Sequence, residues 1–264
     1  MAEKIAFVAS DIDGTQLKPF VRQPSPAVQA AAQGLRRNGV YLSEVSSRPP
    51  AMIENLVTPL ALGNNLCSLS GGAVISHADT GEVVWSRLLS GETKRNVILG
   101  VGGLCVKINF DMATRKQTPI EVMTLVENEP TPREEPAIFM VVDAKKSDAV
   151  LESLATIPGI QHTGLMNNDQ DSSTYTIQVM APGVDKRSGV IRVRSMIGFD
   201  DTAGVIIGDG LNDLPMFAAA QPGDIKVAIN NVDTPEELKD TADWVAPSVH
   251  DDGFAIAMEH YGLI

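Results

Sequence analysis

Short apolar runs, Ile5 to Ala9, Gly204 to Ile207 and Ile225 to Ile229, recur at both ends of this sequence and alternate with amphipathic stretches. A strand that is apolar on both sides needs cover on both faces, which a parallel sheet sandwiched between helices supplies. The expected fold class is therefore α/β, a Rossmann-like, doubly wound parallel sheet. Ser25-Pro26 opens the first helix with Pro at its first position, and Val28, Ala31, Ala32 and Leu35 share one face of it. Asn38-Gly39 ends that helix, Val40 to Val45 reads as the second strand, and Ile53, Leu56 and Val57 form a further amphipathic stretch that Pro59 stops.

The middle of the chain changes character. Val106 to Phe110, Glu121 to Val126 and Ala137 to Val142 read as strands with few long helices between them, and Tyr175, Ile177 and Val179 alternate with Thr176, Gln178 and Met180. The polar, Pro-rich stretch 127 to 136 reads as a surface loop. After Pro182-Gly183 the first pattern resumes, with a helix from Lys186. One domain, residues 1–85 and 184–264, is thus expected to be interrupted by a second α+β domain over 86–183.

Of the 264 residues 44% are apolar, enough for a sizeable core, and no apolar run reaches the roughly 20 residues of a spanning helix. The charged start MAEKIAFVASD does not suit a signal peptide, and Cys67 and Cys105 lack metal-ligand spacing, so a cytoplasmic location is expected. The net charge of -12 would repel nucleic acid over most of the surface. It would equally repel a phosphorylated metabolite, so a phosphate site here needs a local positive source, such as a bound cation with one lysine.

Ser10-Asp11-Ile12-Asp13-Gly14-Thr15 follows directly on the first apolar run, so its carboxylates emerge at a strand's carboxyl end, where open α/β sheets bind ligands. Two acids one residue apart repel each other unless a cation lies between them, and hard oxygen donors favour Mg2+. A turn built from ordinary turn residues is the alternative for this segment alone. Gly208-Asp209-Gly210-Leu211-Asn212-Asp213 repeats the arrangement after another apolar run, and a helix-capping turn would leave this second acidic cluster unexplained. Lys186 stands where the core pattern resumes, within reach of the same sheet edge. Ser46-Ser47-Arg48, after the second strand, offers a hydroxyl and free backbone amides of the kind that hold a transferring phosphoryl group.

Taken in order, these four segments resemble the haloacid dehalogenase superfamily, and within it the Cof-type sugar phosphatases with an inserted α/β cap of type IIB. Asp11-Ile12-Asp13-Gly14-Thr15 resembles the first motif, Ser46 the second, Lys186 the third, and Gly208-Asp209 with Asn212-Asp213 the fourth. The similarity extends through Val227-Ala228-Ile229-Asn230, Ala242-Asp243 and Asp252-Gly253. The resemblance implies that Asp11 is a nucleophile forming an aspartyl phosphate and that Asp13 is the general acid and base. It implies Mg2+ held by the Asp11 side chain, the Asp13 carbonyl and Asp209, with Asp213 in support, and phosphoryl oxygens bound by Ser46, Lys186 and Asn212, beside Ser47 and Arg48. Ser47 stands where the family usually has glycine, and Ser70-Gly71-Gly72-Ala73 lacks the usual asparagine. Ser43-Glu44 puts polar residues in a strand normally apolar. Glu44 is either a buried acid with a hydrogen-bond partner or faces outward in a strand shifted by one residue.

The activity expected is Mg2+-dependent hydrolysis of a small phosphate ester, such as a sugar phosphate, by a monomer or homodimer with neither nucleic acid nor membrane as partner. A phosphomutase of the same fold would return phosphate to the sugar. A phospho-acceptor domain of the receiver type would gather similar acids and a lysine, but in a smaller domain without an insertion. A non-catalytic sugar-phosphate sensor would have no need of both acids and the lysine.

Overall fold

The computed structural model describes residues 5–110, 119–128, 133–167 and 173–264. The chain divides into two compact units, Met1–Trp85 with Asp185–Ile264, and Ser86–Val184.

The first unit begins with β1 (Phe7–Ser10), α1 (Pro26–Arg37), β2 (Tyr41–Glu44), β3 (Leu66–Leu69), β4 (Val74–His77) and β5 (Val83–Ser86). The inserted unit contains α2 (Gly91–Val101), β6 (Cys105–Phe110), α3 (Pro119–Asn128), β7 (Ala137–Asp143), α4 (Ser147–Ala155), β8 (Gln161–His162), β9 (Met166–Asn167) and β10 (Thr174–Met180). The first unit then resumes with α5 (Lys186–Ile197), β11 (Gly204–Gly208), α6 (Leu214–Phe217), β12 (Ile225–Ile229), α7 (Glu236–Thr241), β13 (Trp244–Ala246) and α8 (Gly253–His260).

The core sheet is parallel in the order β13-β12-β11-β1-β2. Successive residues of each strand feed opposite layers. Val8, Leu42, Val205, Ile207, Val227 and Ile229 pack on one face with Val28, Ala31, Ala32 and Leu35 of α1 and Phe254 of α8. Phe7, Ala9, Ile206 and Ala228 pack on the other with Val190 and Val193 of α5 and Met216 and Phe217 beyond β11. Both faces are covered, which is why the strands read as continuous apolar runs. The chain runs from β1 outward to β2 and returns to β11 on β1's other side. The switch in winding direction therefore falls between β1 and β11, and their carboxyl ends open the crevice where this fold class binds ligands.

One expectation is corrected. Glu121 to Val126 lies in helix α3, not in a strand. Val122 and Val126 are buried four residues apart, with Thr124 exposed between them, so the apolar spacing is that of a helix despite the β-branched residues. The stretch holding Ile53 and Leu56 is amphipathic as expected, buries both side chains and takes the form of two single 3-10 turns, Pro50–Met52 and Glu54–Leu56. The inserted unit carries an antiparallel sheet in the order β6-β7-β10-β8, with β9 also on β10. Of the Pro-rich stretch 127 to 136, Glu127 and Asn128 end α3, and residues 129–132 lie outside the described residues.

Candidate active site

Asp11 leaves β1 at the switch point. Its backbone N–H donates to Ile207 O at 3.0 Å, so the ladder to β11 runs one residue past the strand and fixes where the side chain starts. On the other side Val45 N donates to Ser10 O and Ser46 N to Ser68 O, which ties the loop after β2 into the same edge.

Lys186 is the first residue of α5. Asp185 caps that helix, its carboxylate accepting from Ser188 N at 2.7 Å while Ser188 Oγ accepts from Asp185 N. The turn after β3 presses against this cap. Gly72 has φ +101°, and a Cβ there would lie 2.1 Å from Asp185 O, so only glycine lets the two segments approach. An ammonium at a helix N-terminus opposes the helix dipole, and here two carboxylates compensate it. Lys186 Nζ donates to Asp11 Oδ1 and Asp213 Oδ1, both at 2.6 Å, with the lysine 3% exposed.

Asp213 is completely buried. Its Oδ2 accepts from the Asp209 and Gly210 amides, both at 2.9 Å, so it organises the loop after β11 as well as holding Lys186. Asp209 accepts from Thr15 Oγ1 at 2.8 Å and from Asn231 Nδ2 at 3.1 Å. Gly14, with φ +82°, abuts it so closely that a Cβ would lie 2.1 Å from Asp209 Oδ2.

Asp11, Asp209 and Asp213 each offer a carboxylate oxygen within 4.8 Å of the others. Three carboxylates thus face one ammonium in a buried site. Burial, the largest influence, together with Asp213 and Asp13 lifts Asp11 to about 7, although Lys186 pulls it down. Burial and the neighbouring Asp11 and Asp213 hold Asp209 well above the usual carboxylate range. Burial works against the Lys186 ammonium, but Asp11 and Asp213 outweigh it and hold the group above its ordinary value. Lys186 is therefore charged, and the excess negative charge falls on the aspartates. A divalent cation among these oxygens would remove that excess, and an all-oxygen donor set suits Mg2+, so the residues fit the metal that the resemblance implied.

The other expected site residues surround this centre. Arg48 grips the Asp13 carboxylate with Nε to Oδ2 at 2.8 Å and a terminal guanidinium nitrogen to Oδ1 at 2.6 Å. Ser46 is buried and its Oγ accepts from Arg48 N at 3.2 Å. Ser47 follows it, half-buried, and Asn212, also half-buried, lies between Gly210 and Asp213 on the loop after β11.

Glu44 is settled by the structure. It pairs in register with Ser10, is fully buried, and both its oxygens accept from Gln16 Nε2 at 3.1 and 2.8 Å. It is the buried acid with a partner, and burial raises its pKa well above the ordinary glutamate value despite Gln16. Sequence reasoning missed Gln16 and Asn231. Asn231 had a signal, since it follows β12 and so stands at another carboxyl end of the parallel sheet. Gln16 had none, because its contact with Glu44 appears only once β1 and β2 are side by side.

Comparison with known proteins adds identity to this geometry. A family described as haloacid dehalogenase-like hydrolase matches residues 8–258. A Streptococcus pyogenes protein named as a phosphatase is 25% identical over 98% of this chain and 99% of its own length. The 5-amino-6-(5-phospho-D-ribitylamino)uracil phosphatase of Bacillus subtilis is 33% identical over 47% of this chain and 45% of its own. Among solved structures, a sugar phosphatase of haloacid dehalogenase subclass IIB superposes with a TM-score of 0.75 at 21% identity, covering 98% of this chain and 99% of the other. A haloacid dehalogenase-like hydrolase from B. subtilis gives 0.77 at 18% identity, covering 97% and 99%. With its parallel core confirmed as that fold, the chain is an enzyme of the haloacid dehalogenase-like hydrolase family.

Proposed function

We propose that this enzyme is a Mg2+-dependent phosphatase that takes phosphate from a small, sugar-like phosphate ester onto Asp11 and passes it to water. The observation that carries the reading is the convergence of Lys186 on Asp11 and Asp213, from segments 175 and 27 residues away, beside Asp209. The names of the relatives, phosphatases of sugars and of a phosphoribityl compound, support a polyhydroxylated substrate.

In this proposal Asp11 attacks phosphorus in line and the bond to the leaving oxygen breaks, while Asp13 gives that oxygen a proton. Asp13 then takes a proton from water, whose oxygen attacks the same phosphorus and expels the Asp11 carboxylate. The reaction is split into two displacements, each needing position and charge neutralisation more than covalent assistance. Ser46, Ser47, Arg48, Lys186 and Asn212 hold phosphoryl oxygens, and the two-point grip of Arg48 on Asp13 opens before Asp13 carries the proton. The residues that would hold Mg2+ are Asp11 and Asp209, with the Asp13 carbonyl and with Asp213 behind them, and bound there it would supply positive charge to the transferring group. The inserted unit is assigned the role of cap, with core and cap divided near residues 86 and 183.

Phosphate release from a panel of phosphorylated sugars and sugar alcohols tests this. Turnover should stop on chelation with EDTA, return with Mg2+, and vanish in the isosteric Asp11→Asn. Full activity in that variant, or with EDTA present, would overturn the proposal.

A further inference from the structure

Asn231 has no part in the mechanism above, yet its side chain touches three loops of the site. Its Oδ1 accepts from Val249 N at 3.0 Å and Ser248 Oγ at 3.3 Å. A backbone N–H can only donate, so the oxygen must face Val249 and the amino group must point the other way. That amino group donates to Gly14 O at 2.7 Å and to Asp209 Oδ2 at 3.1 Å. Both of its protons are thus used, one on the loop after β1 and one on the Asp209 carboxylate.

Without Asn231, the described hydrogen bonds to the Asp209 carboxylate would reduce to the one from Thr15 Oγ1. Asp209 stands on a half-exposed loop position, and Thr15 Oγ1 fixes only its Oδ1. The donor from Asn231 fixes Oδ2, and the Gly14 backbone that Asn231 also binds forms the wall against that oxygen. Asn231 is itself anchored, its backbone N–H donating to Thr234 Oγ1 at 3.0 Å, while Thr234 Oγ1 donates to Ile229 O at 2.7 Å at the end of β12.

We infer that Asn231 is a positioning residue for cation binding: it locks the rotamer of Asp209 so that this carboxylate is set for a divalent metal before the metal arrives. A ligand held in its binding geometry loses less freedom on coordination, and hydrogen-bond partners behind a ligand typically carry about 10- to 100-fold in metal affinity. The inference rests on the Mg2+ site of the proposed phosphatase, but concerns a residue that touches neither substrate nor metal.

The test is calorimetric titration of the full-length protein with Mg2+ alone, in wild type, Asn231→Ala and Asn231→Ser, with folding checked by thermal unfolding in EDTA. Mg2+ affinity should fall about 10- to 100-fold in both variants. A residue that only braces its loop would lower the melting temperature and leave affinity unchanged, and that result in either folded variant overturns the inference. In 15N-labelled wild type, which needs no substitution, the Asn231 side-chain NH2 signals should shift and saturate with Mg2+. Signals that do not respond would also overturn it. Wild type that binds no Mg2+ would defeat the phosphatase reading itself, whereas wild type that binds Mg2+ and hydrolyses phosphate esters beside variants of equal affinity would defeat only the role of Asn231.

Discussion

Replacing Lys186 by Met tests the electrostatic reading of the site, because the substitution keeps most of the stem and removes the charge. The ammonium lies 2.6 Å from each of two carboxylates, and at an effective dielectric of about 20 each contact is worth about 6 kcal/mol. Desolvating three charged groups offsets most of this. What remains measurable is the cost of leaving Asp11 and Asp213 buried without their cation, about 3–5 kcal/mol when one partner of a buried pair is removed. Asp213 keeps two backbone donors on Oδ2, so the penalty falls mainly on Asp11. Denaturant unfolding in EDTA should show that loss, roughly 10 °C in melting temperature for a chain of this size. Because the vacated site is more negative, Mg2+ should stabilise Lys186→Met more than it stabilises wild type. Turnover should be lost with or without that recovery. A loss below about 1 kcal/mol, the range of exposed ion pairs, would refute the argument, as would an equal Mg2+ effect on both proteins.

Three further outcomes follow from the same geometry. Burial lifts both Asp11 and Asp209, so at lower pH Mg2+ must displace the protons they hold and its affinity should rise with pH until both are ionised; titration at several pH values showing no slope would contradict this. Glu44 has a folded pKa raised by burial, so the stability it confers while protonated is present below the unfolded glutamate value and is lost as pH rises through the folded one. Glu44→Gln should therefore match wild type in melting temperature near about pH 4 and exceed it at about pH 8, and a constant difference would refute the buried-acid account. Gly72→Ala should cost at least about 2–3 kcal/mol and lower turnover by moving the cap of α5, while Gly39→Ala, at φ +72° with no atom within 4 Å, should cost only about 1 kcal/mol; equal losses would deny the close approach at Asp185.

What could be read from the sequence follows from which constraints are local. Ile225–Ile229 and the start of α5 at Lys186 have the bounds expected, because an apolar run between turn residues and a capped helix start are short-range signals. The acidic loops were legible because a parallel sheet brings the carboxyl ends of its strands to one edge, whatever else the chain does. Val122 and Val126 misled because β-branched residues resemble a strand unless their spacing is weighed over a longer window. The partners of Glu44 and Asp13 were not legible. Gln16 and Arg48 meet them across 28 and 35 residues of chain, and only the packed sheet edge decides those meetings.

The account turns on a phosphate passing through the Asp11 carboxylate. Mixing the enzyme with a 32P-labelled phosphate ester that it hydrolyses, quenching in acid within one turnover and mapping the labelled peptide tests that directly. The label should appear on the peptide containing Asp11, be released by hydroxylamine as an acyl phosphate is, and disappear as inorganic phosphate forms. Phosphate release with no label on the protein at any time, or label on another residue, would contradict the account.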